Sequence, residues 1–295
     1  MHVFMTGVTG YIGGAVALKL LAAGHTVTGL ARTAEKGDGL TRLGVIPVLG
    51  TLDDIETIGD AAGAAEAVIN LASTNHPVSA RTIVAALAGS GKPYIHTSGS
   101  SIVADNAGGE RNDNVYSEDT PFMPLADRAG WFAVERQIVL PAAQQGVRSV
   151  VLTPCMIYGD GPGLNRDSLQ VPLMIRTARQ WGVAGHVGAG RNIWSNVHLS
   201  DCADAYLLAL ERAPAGSLFY IEAGEAALGD IAAAINRKLG FGNATKSLSL
   251  PEAMRAWGPN MALSLGSNSR IRADKARAML GWTPKGPSLF DVLAS

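Results

Sequence analysis

The stretch HVFMTGVTGYIGGAVALKLLAAG, His2–Gly24, decides the fold. His2–Met5 reads as an apolar strand, and Tyr11–Ala23 as a helix with Ile12, Val16, Leu20 and Leu21 on one face. Between them lies Thr6-Gly7-Val8-Thr9-Gly10-Tyr11-Ile12-Gly13. Three spaced glycines mean little alone in a chain that has 35 of them. Set between a strand and an amphipathic helix, they have a mechanism. Gly7 permits a tight turn, Gly10 lets the backbone approach a pyrophosphate, and Gly13 allows the helix to pack close on the strand. The helix N-terminus then offers unpaired N–H groups and the positive end of its dipole to an anion. A purely structural turn is the alternative reading.

Working outward, short apolar runs alternate with helical patterns. Strands are expected at Thr26–Ala31, Val45–Leu49, Ala67–Leu71, Tyr94–Thr97 and Ser149–Leu152. Helices are expected at Asp53–Ala61, at Val78–Ala88 and, beyond the polar stretch Ser98–Asp119, over roughly Leu125–Gln145. Parallel strands need a crossover to return, so this alternation specifies an α/β chain, a Rossmann-type doubly wound parallel sheet. The second half is less regular, with helices at Val171–Trp181, Ser200–Arg212, Leu228–Leu239 and Ala273–Leu280 and a strand at Leu218–Ile221. The expected organisation is a dinucleotide domain over residues 1–158, rejoined by 193–212. Residues 159–192 and 213–295 would form a smaller C-terminal substrate lobe.

Charge and composition exclude several classes. Lys and Arg total 24 against 25 Asp and Glu, a formal net charge of −1, and they do not cluster. That is no footprint for nucleic acid or a polybasic membrane contact. No apolar run approaches the ~20 residues that span a bilayer. Cys155 and Cys202 stand alone, with no CxxC and no metal-ligand spacing, so no metal and a reducing, cytoplasmic setting are expected.

The end of the second strand bears on which dinucleotide would bind. NAD-binding versions of this turn place an acid there for the ribose 2′-hydroxyl. Here the sequence is Leu30-Ala31-Arg32-Thr33-Ala34-Glu35-Lys36. Ala31 removes the acid, Arg32 offers a planar fork of donors to a 2′-phosphate, and Thr33 and Lys36 can assist. NADP(H) is the expected cofactor; a solvated loop charge is the alternative.

Several ordered stretches together resemble the extended short-chain dehydrogenase/reductase, or NAD-dependent epimerase/dehydratase, superfamily. They are the opening TGVTGYIG, Asn70-Leu71-Ala72-Ser73, His96-Thr97-Ser98-Gly99-Ser100 and Leu152-Thr153-Pro154-Cys155-Met156-Ile157-Tyr158-Gly159. Asn196–Ala205 and the closing Leu280-Gly281-Trp282-Thr283-Pro284 continue the series. The resemblance implies that Thr51 and Leu52 flank the adenine and that Leu71, Ala72, Ser73 and Ser98 line the cofactor groove. It sets Pro154 and Met156 by the nicotinamide. Ser100 matches the family's active-site Ser or Thr, which bonds the substrate oxygen; a turn serine is the alternative.

The chain departs from the family at its acid–base pair. The family carries a Tyr and, four residues later, a Lys on one helix face, where the cation lowers the Tyr pKa. Aligned through Glu135, those positions hold Asp127 and Trp131, and no Tyr-x-x-x-Lys occurs anywhere. Candidate replacements are Asp127, Tyr158, Tyr116 and His76. Each has a structural alternative: Asp127 as a helix cap, Tyr158 as a packed turn residue, His76 as a loop residue. His198 is expected to hold its loop against the sheet. Trp131, Trp194, Met174 and Leu164 would make an apolar pocket that argues against a highly charged sugar nucleotide. The leading expectation is an NADP(H)-dependent oxidoreductase acting on a small or medium organic molecule. A non-catalytic NADP(H) sensor or partner-binding protein competes with it, as does a non-redox isomerase or lyase retaining the cofactor. Phe132–Leu140 is apolar enough to permit a homodimer.

Overall fold

The computed structural model describes residues 1–295. Strand β1 (His2–Thr6) runs through the glycine turn into α1 (Tyr11–Ala22). Then come β2 (Thr26–Ala31), α2 (Ala34–Arg42), β3 (Ile46–Leu49), α3 (Ile55–Ala64), β4 (Ala67–Asn70), α4 (Pro77–Leu87) and β5 (Pro93–Thr97). A helical run containing α5 (Ala129–Ala133) precedes β6 (Arg148–Pro154) and β7 (Met156–Tyr158). The chain continues through α6 (Gln170–Trp181), β8 (Gly185–Val187), β9 (Ile193–His198), α7 (Leu199–Arg212), β10 (Ser217–Ile221) and β11 (Gly224–Ala227). It ends with α8 (Leu228–Leu239), β12 (Lys246–Leu248), α9 (Leu250–Trp257), α10 (Pro259–Gly266), α11 (Asp274–Leu280) and α12 (Leu289–Ala294).

Seven strands form one sheet in the order β10-β6-β5-β4-β1-β2-β3, and every pairing is parallel. Helices cover both faces, so β4 and β5 are buried at every position. The strand order reverses between β1 and β4, the point where open α/β sheets gather ligands. Two further sheets, β11-β9-β7 and β12-β8, lie beyond its carboxyl edge. The interior divides into a 56-residue core around the main sheet and a 21-residue core among α6, α8, α9, α10 and α12. No helix is long and apolar enough to cross a membrane.

Two expectations are corrected and one element is added. The boundary at residue 213 does not follow the sheet: Ser217–Ile221, expected in the small lobe, pairs with β6 from Ser217↔Val150 to Ile221↔Pro154. Ala273, Ala276, Leu280 and Trp282 also belong to the main core, while Met156 and Tyr158 belong to the second. A short apolar strand carries no local mark of the sheet it joins. The helix over Leu125–Gln145 is not uniform. It is 3₁₀ over Ala126–Arg128, α over Ala129–Ala133, π over Val134–Val139 and 3₁₀ again over Leu140–Gln145. Pro141 lacks the N–H for an i→i−4 bond, and the wide turn before it absorbs the mismatch. No element was expected between β2 and β3, and α2 forms there although Gly37 and Gly39 depress its propensity. Those glycines let it lie against β3 and Leu164: a Cβ at Gly37 would meet Pro47 at 3.4 Å, and one at Gly39 would meet Leu164 at 2.9 Å.

Candidate active site

The site begins at the turn after β1. Gly7 has φ +72°, and a Cβ there would lie 2.5 Å from the backbone carbon of Leu71. At Gly13 a Cβ would lie 2.1 Å from the Gly7 carbonyl oxygen, so only glycine lets α1 start this close to the turn. No side chain caps α1 at Gly10. The first-turn amides of Tyr11, Ile12 and Gly13, all on the groove wall, are therefore left for an anion.

Beneath this turn a buried polar network pins three strand ends. Thr6 Oγ1 donates to Asn70 Oδ1 at 2.5 Å, and Asn70 Nδ2 lies 3.1 Å from His96 Nδ1. Burial pushes His96 down to about 4, so its ring is neutral and Nδ1 accepts from the Asn70 amide.

A continuous groove runs along the carboxyl edge of the sheet. One arm, about 540 Å³, is lined by Gly7, Thr9, Gly10, Leu30, Arg32, Thr51, Leu52, Leu71 and Ala72. The central part, about 340 Å³, adds Tyr11, Ile12, Gly13, Ser98, Gly99, Pro154, Cys155 and Ile157. It is walled on one side by Asn165, Asp167, Ser168 and Leu169, from the loop before α6, and by Gln170 at the start of that helix. That loop crosses α1 where Gly14 meets Gly163, a Cβ on Gly14 falling 2.9 Å from the Gly163 Cα. Tyr11 Oη donates to the Gly159 carbonyl at 2.6 Å and anchors its start. A third compartment, about 370 Å³, shares Gly99, Pro154, Cys155, Leu169 and Gln170 and adds Ser100, Asp127, Arg128, Trp131 and Trp194.

Most residues expected in the groove are there, but three are not. Lys36 lies in the first turn of α2, where its N–H donates to Thr33 Oγ1 at 3.3 Å, and it does not line the arm that Arg32 lines. Ser73 closes a local turn, accepting from the Asn75 N–H at 3.1 Å. Met156 points the wrong way, because side chains alternate along a strand. Cys155 and Ile157 face the groove, and Met156 packs into the second core.

The candidate proton donors separate as well. Ser100, 2 % exposed, lies in the third compartment, where Ser269 Oγ stands 2.8 Å from its carbonyl oxygen and 2.9 Å from its hydroxyl oxygen. Asp127 also lines that compartment, caps nothing, and pairs with Arg128. Tyr158 is elsewhere: its phenol donates to the Pro287 carbonyl at 2.9 Å, in a cavity behind the Gly159–Leu169 loop. Tyr116 bridges Ile271 by its backbone and stacks edge-on with Phe122, outside the groove. His76 caps α4 at the Arg32 end, bonded to Ser79 and Asp53. His198 caps α7 through the Ser200 N–H. Of the expected apolar pocket, Trp131 and Trp194 line the cleft, whereas Met174 is in the second core and Leu164 packs on Gly39.

Sequence reading missed Glu135 as more than an alignment mark. It is buried beside Ser98, whose hydroxyl donates to its carboxylate, and burial pushes its carboxyl up to about 7 against the opposing pull of Ser98 and Arg136. Arg128, Asn260, Met261 and Ser264 in the third compartment were also missed. Arg128 carried a signal, standing beside the two departing positions.

The model of the NAD dependent epimerase/dehydratase family matches residues 3–221. The chain belongs to this family. A Schizosaccharomyces pombe protein of uncharacterized role is 31% identical over 308 residues, covering 100% of this chain and 99% of that one. A Stigmatella aurantiaca enzyme, 4-hydroxy-2-methyl-3-oxo-4-farnesyl-3,4-dihydroquinoline-1-oxide ketoreductase, is 28% identical over 241 residues, covering 76% of this chain and 69% of its own. Among solved structures, dTDP-glucose 4,6-dehydratase of Bacillus anthracis, in complex with NAD, superposes with a TM-score of 0.78 at 17% identity, over 100% of this chain and 96% of its own. The matched span contains the glycine turn and every strand of the parallel sheet whose carboxyl edge carries the groove.

Proposed function

We propose that the chain is an NADP(H)-dependent oxidoreductase acting on a small or medium organic substrate, with Asp127 and Trp131 in place of the usual Tyr and Lys. The observation that carries this reading is the continuity of the groove: glycine turn at its centre, Arg32 at one end, a cleft with Ser100 at the other. The donor set fits a phosphorylated dinucleotide. Uncapped α1 amides suit its pyrophosphate, and Arg32 suits a 2′-phosphate beside Ala31, which carries no acid. The one carboxylate on that arm, Asp53, lies 3.2 Å from His76 Nε2. Bound there, the dinucleotide supplies or accepts hydride. The residues of the chain do the rest. Ser98, Pro154 and Cys155 bound the nicotinamide end, Ser100 bonds the substrate oxygen, and Asp127 at the solvent rim exchanges the accompanying proton. The ketoreductase activity named for the Stigmatella relative supports a carbonyl substrate.

Calorimetric titration with NADPH and NADH tests the reading. NADPH should bind more tightly, and Arg32→Ala should cost NADPH about ten- to a hundredfold while leaving NADH unchanged, the worth of ~1.5–3 kcal/mol for bonds to a charged group. Equal affinities would remove the NADP(H) preference. Binding of neither would leave the groove a relic and favour a partner-binding role. With NADPH bound, a carbonyl and enone screen follows.

A further inference from the structure

We infer that the third compartment takes a planar aromatic compound whose anionic oxygen, carboxylate or enolate, is held by Arg128, and does not take a nucleoside-diphosphate sugar. This rests on the proposed reading of the groove and names its substrate class.

Arg128 is the one cationic side chain lining the compartment, and it is only 13% exposed. A guanidinium carries five N–H donors. Here Nη1 donates to Asp127, while Nε is buried with no acceptor in the chain. Nε is closed off from the cavity, whereas Nη2 makes no bond within the chain and is not buried, so it is the donor that an entering oxygen anion can meet. Asp127 does not fill that role, because its carboxylate is 56% exposed and its charge is largely screened by water.

The walls select the shape. The Arg128 guanidinium carbon sits 5.2 Å from the centroid of the Trp131 ring, which fixes the cation against an aromatic face. Trp194 spends its indole N–H on the Ser267 carbonyl at 2.8 Å, so it presents no donor to the cleft. Met261 and Leu169 add apolar surface, and Ser100, Ser101, Gln170, Asn260 and Ser264 form the polar part of the wall. A volume of about 370 Å³ holds a molecule of two fused rings. A nucleoside diphosphate brings at least two negative charges to a compartment with a single, half-paired cation.

The test is calorimetry on the full chain with 2-naphthoate, its neutral isostere 2-naphthamide, and UDP-glucose, each with and without saturating NADP⁺. Wild type should bind 2-naphthoate at least tenfold more tightly than 2-naphthamide and give no heat with UDP-glucose. Arg128→Gln should bring acid and amide to equal affinity, Arg128→Lys should keep part of the preference, and Trp131→Leu should weaken both. Melting curves check that each variant folds. Acid and amide of equal affinity in wild type, an acid preference that survives Arg128→Gln, or UDP-glucose binding above 2-naphthoate would each overturn the inference. So would failure of both naphthyl ligands to bind. Absence of heat from NADP⁺ alone counts against the cofactor reading only, because the naphthyl series is also read without it.

Discussion

Glu135 is 2 % exposed, and its carboxyl meets the Ser98 hydroxyl on the inner wall of the groove. Burial raises its pKa to about 7, against roughly 4.3 for a carboxyl in water. The folded state therefore holds this proton more tightly than the unfolded chain. Its contribution to stability is full below the unfolded value and is lost as pH rises through 7, about 3 kcal/mol across that window. Glu135→Gln keeps the shape without the ionisation. Denaturant unfolding should show the variant more stable than wild type at pH 8 by up to that amount, and level with it near pH 4. Parallel curves at both pH values would mean that Glu135 ionises freely. Arg136 and Tyr220 also face this carboxyl, so their variants are the controls. At this scale, residues whose backbone geometry fixes their place were legible, as at Gly7 and Gly13, and Arg32 lines the groove arm where it was expected. Met156, Tyr158 and Arg128 were misjudged or missed, because their roles depend on which way a side chain faces after packing.

Elements with a strong period were legible too, and the exceptions share a cause. In α2 and in the run over 126–145, contacts made far along the chain override local propensity: Gly39 meets Leu164, and Glu135 meets Ser98. The same distinction predicts what alanine does to helical glycines. At Gly13 in α1 a Cβ would fall 2.7 Å from the Gly7 carbonyl carbon and 2.9 Å from the Val8 Cα, both rigid backbone. Gly13→Ala must push the helix off the turn, costing ~1–3 kcal/mol as overpacking does and abolishing dinucleotide binding. Gly63 in α3 has nothing within 4 Å of its Cβ position. Gly63→Ala should stabilise by ~0.5–1 kcal/mol, from propensity and a less flexible unfolded chain. Thermal melts and an NADPH titration check both; a Gly13→Ala protein that still binds would separate the turn from the cofactor.

At the scale of the whole molecule, the groove lies between two cores that the chain crosses repeatedly, so the cleft depends on how the second core is tied to the first. One tie is local and polar. Asp201, 2 % exposed in the first turn of α7, accepts from the Lys285 N–H at 2.8 Å and from the Gly286 N–H at 3.0 Å. Its carbonyl accepts from Trp282 Nε1 at 2.8 Å. Just beyond, α12 plants Leu289 and Leu293 in the second core. The Asn196–Ala205 and Leu280–Pro284 stretches were both visible as family marks, but no spacing rule shows that they bond each other. Removing the carboxylate leaves two amides without an acceptor, at ~1–3 kcal/mol each when water cannot replace it. Asp201→Ala should therefore cost about 2–4 kcal/mol in denaturant unfolding, and Asp201→Asn, which keeps one acceptor oxygen, about half of that. Limited proteolysis should cut the variant first within residues 282–295 and leave the parallel sheet intact. A loss below about 1 kcal/mol, with the tail still protected, would place the tie in Trp282 and the α12 leucines instead. The cleft would then depend on apolar packing alone.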